Sequence, residues 1–67
     1  MNETAYFIKD RAQSLAYEGR RFPDKAKAAL AWLHRAVDWA EQRGMTPLAD
    51  EVRAAARRVT DHKSRTH

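Results

Sequence analysis

The chain has 67 residues, no cysteine, two glycines and two prolines, and 13 Lys and Arg against 9 Asp and Glu, for a net charge of +4. So short a chain buries only about 60 % of the surface its unfolded form exposes, which allows one domain of marginal stability. The composition excludes a disulfide framework and a Cys-based zinc site, and no apolar run approaches the roughly 18 residues of a membrane span. Met1 is followed by Asn2, Glu3 and Thr4 rather than by a basic stretch and an apolar run, so no secretory signal is read and a cytoplasmic location is expected.

Glycine and proline punctuate the chain where helix-end chemistry places them, Gly just past a helix and Pro at its first position. Three helices are predicted. The first covers 3–18 with Asn2 or Thr4 as cap, the second 23–43, and the third 47–59 with Thr46 as cap, while Gly19 and Gly44 close the first two. Short connections predict roughly antiparallel neighbours in an all-α three-helix bundle over residues 1–59, up-down-up or a long-hairpin variant of it. Residues 60–67 lack an apolar anchor and are expected to form a frayed basic tail.

Each helix carries a stripe at the 3.6-residue period. Ile8, Ala12, Leu15 and Gly19 share one face of the first helix, and Leu48, Val52, Ala55 and Val59 share one face of the third. In the second, Ala26, Leu30, Leu33, Val37 and Ala40 recur at intervals of four, three, four and three, a seam that packs against another helix. These stripes are the predicted core.

Several large residues lie off the stripes. Ala29, Trp32, Ala36 and Trp39 make a further apolar stripe beside the seam of the second helix. Two readings stand: a central helix buries two faces against two neighbours, or one tryptophan belongs to a recognition surface, where Trp is enriched. Arg35 and Arg43 are each four residues from Trp39, the spacing at which a guanidinium stacks on a ring. On the first helix Tyr6 and Tyr17 fall roughly opposite Ile8, and Phe7 also misses the stripe. Tyr6, Phe7, Tyr17, Trp32, Arg35, Trp39 and Arg43 are therefore the candidate protein-binding residues. An alanine-rich core and spare aromatics also predict a homodimer.

The positive charge is uneven. Residues 1–19 carry −1, 20–44 carry +3, 45–59 carry +1 and 60–67 carry +1. Arg20, Arg21, Lys25 and Lys27 cluster at the entrance to the second helix with only Asp24 to offset them, against the preference of a helix N-terminus for negative charge. They are the candidate anion- or nucleic-acid-binding residues, with a solvated loop as the plain alternative. Arg57 and Arg58 suit a last helical turn, and Arg53 has the spacing to pair with Asp50.

Ala40, Gly44, Met45 and Thr46 locally resemble the turn of a DNA-binding helix-turn-helix, with a small residue, then glycine, a hydrophobe and a cap. The pattern then fails, because Asp50 stands where an apolar residue is required, the preceding helix is about 21 residues long, and Asp50 and Glu51 would face the DNA.

No catalytic constellation is present in the sequence. His34 and Asp38 are four apart and are read as a surface hydrogen-bonded pair, since two ligands make no metal site. Ser14 and Ser64 lack a base and its orienting partner, and there is no glycine-rich phosphate loop. The chain is accordingly expected to be no enzyme and to need no cofactor or metal. Its size and its Ala- and Arg-rich composition suggest a bacterial or phage regulatory protein that binds a macromolecule, foremost a protein, with nucleic acid as the alternative partner.

Overall fold

A computed structural model describes residues 3–64, with the side chains of 3–60. Three helices, α1 (Glu3–Arg21), α2 (Ala26–Gln42) and α3 (Thr46–Ser64), account for nearly all of it, and a 3-10 turn at Pro23–Lys25 links the first two. There is no strand among the described residues. Every helix packs against both others. Lys9 pairs with Glu51 across α1 and α3, and Gly19 lies against Val59 of α3 and Ala29 of α2, so α1 and α3 run parallel. The ion pair of Glu41 with Arg53 ties the end of α2 to the start of α3, which makes α2 antiparallel to both. This is the expected up-down-up bundle, about 41 Å long and 16 by 14 Å across at the Cα level.

The core is the set of predicted stripes, widened. Ile8, Ala12, Leu15 and Gly19 are buried in α1, and Leu48, Val52, Ala55 and Val59 in α3. In α2 the seam is buried at Leu33, Val37 and Ala40 but only partly at Ala26 and Leu30, while Ala29 and Ala36 of the neighbouring stripe are buried as well. A helix with two partners needs this wider arc. Among the described residues, eight of the fifteen buried hydrophobic residues are alanine, and Leu33 and Val52 are the largest side chains fully enclosed. Small side chains allow the close helix spacing that the narrow cross-section reflects.

Gly44 ends a helix as the sequence predicts, while several other helix ends depart from the prediction. Gly44 closes α2 with φ +72°, its N–H donating to the Glu41 carbonyl at 3.0 Å and that of Met45 to the Ala40 carbonyl at 2.9 Å. Those two bonds form a Schellman motif, whose left-handed residue glycine adopts without penalty. Gly19 does not close α1. The helix runs on to Arg21, and a Cβ at Gly19 would stand 3.0 and 3.1 Å from the two Val59 methyls, so glycine is there for close approach. Pro23 opens a 3-10 turn rather than α2, which begins three residues later at Ala26. Thr4 is helical rather than a cap, and Asn2 lies outside the described residues. Thr46 is likewise the first residue of α3, and the Met45 carbonyl accepts the first bond, from the Ala49 N–H at 3.0 Å. At its other end α3 continues five residues past Val59 to Ser64, and Thr60 donates its hydroxyl to the Ala56 carbonyl at 3.2 Å. The rest of the expected tail, 65–67, lies outside the described residues.

Candidate interaction surface

With the alanine-lined face of α1 turned inward, its remaining large side chains are left outside. The exposed large hydrophobics among the described residues are Tyr6 at 74 %, Phe7 at 62 %, Tyr17 at 61 % and Phe22 at 42 %. All four belong to α1 or to the residue that follows it. Tyr6 and Tyr17 are eleven residues apart, close to three turns, and so project on one side about 16 Å from each other. Tyr17 and Phe22 wall a shallow depression together with Asp10, Gln13, Ser14 and Glu18.

The two tryptophans behave differently. Trp32 and Trp39 are partly buried and pack against the core cluster, so α2 uses both of its apolar stripes for folding. Trp39 also carries a cation. The Arg43 guanidinium lies 4.2 Å from the ring centroid and donates to the Trp39 carbonyl at 3.3 Å, inside the range of an effective cation–π contact. Arg35 is exposed and makes no such contact among the described residues. Because α2 ends where α1 begins, Trp39 and Arg43 sit at the same end of the bundle as Tyr6 and Phe7.

The basic cluster sits at the opposite end. Phe22 is its centre, with the Arg21 guanidinium 5.8 Å and the Lys25 ammonium 5.5 Å from the ring centroid. Arg21 also lies 6.0 Å from the Tyr17 ring and donates to its hydroxyl at 3.3 Å. Sequence reasoning misses Phe22, because it precedes proline in a connection and belongs to no stripe. Its φ of −121° and ψ of 95° are the extended conformation that a following proline favours, and they turn the chain so that two cations meet one ring.

The ion pairs among the described residues are confined to the Trp39 end. Arg53 bridges Glu41 and Asp50, the latter at 3.1 Å as its spacing predicts, and Lys9 meets Glu51 at 3.5 Å. His34 and Asp38 are both exposed, and no hydrogen bond joins them among the described residues, against the sequence expectation; a free helical surface leaves each better solvated by water. No group of three or more His, Cys, Asp or Glu converges among the described residues. No described helix is long and apolar enough to cross a membrane.

The α2–α3 connection has the tight glycine turn of a helix-turn-helix but not its geometry. Ala29 and Val59 both lie against Gly19, twelve or more residues from the turn, so α2 and α3 stay side by side. A helix-turn-helix instead splays its helices to about 90–120°. Compared with protein-family models, with curated proteins and with solved structures, the chain matches none.

Proposed function

We propose that the chain is a non-enzymatic interaction module that docks a protein partner on the outward face of α1 and thereby modulates it. The carrying observation is that all the exposed large hydrophobics of the described residues fall on α1 and its exit, while the other aromatics are packed against the core. Aromatic side chains of this kind anchor interfaces, because each covers a large area with few rotatable bonds. Arg21 beside Tyr17 and Phe22, Lys25 beside Phe22 and the net charge of +4 suit an acidic partner and speed its encounter.

A second copy of the chain is favoured by one further feature of that face. Glu3 and Arg21 are eighteen residues apart, five full turns, and so lie on one line. Two α1 helices packed antiparallel would set Glu3 opposite the partner copy's Arg21, and Phe7 opposite its Tyr17.

The test is the triple variant Tyr6→Ser, Phe7→Ser, Tyr17→Ser, compared with the parent by circular dichroism, sedimentation equilibrium and capture from host lysate after nuclease treatment. An unchanged helical signal with loss of a discrete captured protein supports the heterotypic reading. A parent that dimerises, with a monomeric triple variant, assigns the face to self-association. Undiminished capture and an unchanged mass overturn both.

A further inference from the structure

The fold gathers charge that the sequence scatters. The contact of Gly19 with Val59 and Ala29 brings the last turn of α1, the first turn of α2 and the middle of the second half of α3 to one level. Arg20, Arg21, Lys27, Arg57 and Arg58 all stand within two residues of those three contact points, and Lys25 within four, about one turn along a helix axis. All six are exposed. Among the side chains described, the carboxylates at that level are Glu18 and Asp24, and none of the six cations is ion-paired among the described residues. The rest of the described chain through residue 60 holds five cations against six carboxylates, so the positive charge forms a collar at one end of the bundle.

Helix dipoles do not account for it. Lys25 and Lys27 are at the N-terminal end of α2, where cations are disfavoured, and that end has no side-chain cap. Arg57 and Arg58 would be at home in a last turn, but α3 runs on to Ser64, and the effect fades within one turn. The collar is also not purely ionic, since the exposed ring of Phe22 stands in it between Arg21 and Lys25.

We propose that this collar binds single-stranded nucleic acid, its six cations contacting phosphates and Phe22 stacking on a base. Interleaved cations and an exposed ring are the two elements of strand binding without sequence readout. The cations surround one short end rather than lining a helix, and the outer surface of α3 leads with Asp50 and Glu51, so among the described residues no element offers a cationic length to a duplex groove. This site is distinct from the Tyr6 and Phe7 end of α1 and does not rest on the protein-docking reading.

Fluorescence anisotropy with a labelled oligothymidylate, its RNA counterpart and a duplex of equal length tests it across a salt series. The single strands are expected to bind more tightly than the duplex, with affinity falling steeply as salt rises. The double variant Arg57→Gln, Arg58→Gln is expected to lose affinity at least about tenfold at low salt, and Phe22→Ala at least about fivefold. The charge-matched control Lys9→Gln, Arg11→Gln, outside the collar, is expected to stay within about twofold, and circular dichroism verifies the fold of each variant. Equal losses in both double variants would overturn the collar as a site. So would absence of binding by the parent chain at low salt. Polyglutamate competing as well as the oligonucleotide, with no effect of Phe22→Ala, would instead make the collar a surface for acidic proteins and refute the nucleic-acid assignment.

Discussion

Gly19 is a point where all three helices meet, and its missing side chain has a measurable worth. Alanine there gains roughly 1 kcal/mol of helix propensity, but its methyl must fit against the Val59 methyls at 3.0 and 3.1 Å. Overpacking of that kind costs about 1–3 kcal/mol. Gly19→Ala is therefore expected to lower stability by about 1 kcal/mol in urea unfolding, and the sign should reverse in a Val59→Ala background, where the obstructing methyls are gone. A loss that persists in the double variant would show that backbone conformation, not contact, fixes the glycine. Trp39 gives a second residue-level test. It is partly buried against the core and stacked by Arg43, so Trp39→Ala is expected to cost about 2–3 kcal/mol, and Arg43→Ala no more than about 1 kcal/mol. Equal costs would mean that the cation, rather than ring burial, holds that corner together.

Among the elements, what was legible in the sequence was periodicity, and what was not was closure. The stripes on α1 and α3 name buried residues throughout, because a helix that packs on one side repeats its apolar positions every three or four residues. Gly44 and Gly19 show the limit. Both read as helix ends, yet only the first has the left-handed φ; the second depends on Val59, forty residues away, which no local pattern encodes. The candidate site divides in the same way. Tyr6, Phe7 and Tyr17 are recognisable as off-stripe residues, whereas Phe22 and the meeting of Arg57 and Arg58 with Arg20 and Arg21 depend on chain path. Replacing Gly44 by alanine forces a side chain into φ +72° and is expected to cost about 1–2 kcal/mol, most visible as faster amide exchange at the α2–α3 turn. Unchanged exchange there would mean that the turn relaxes into another conformation at no expense.

At the scale of the whole molecule, the up-down-up path divides the chain into two unlike ends. One end holds the described ion pairs, with the Trp39–Arg43 stack, and the other holds cations around Phe22 that are unpaired among the described residues. Exposed ion pairs contribute little to stability, so raising salt is expected to leave the midpoint of unfolding nearly constant or to increase it slightly as the collar's self-repulsion is screened. A marked fall in the midpoint with salt would reveal that the pairs at the Trp39 end matter more than their exposure suggests.

The alanine core has a thermal consequence. The heat capacity of unfolding rises with the apolar surface exposed, at about 12–15 cal/mol/K per residue for an average domain. A core in which eight of fifteen buried hydrophobic residues are alanine hides less of that surface, so calorimetry should place this protein below the average line. Its stability curve would then be shallow, low at its summit but slow to decline on either side, and its melting would spread over a wide span of temperature.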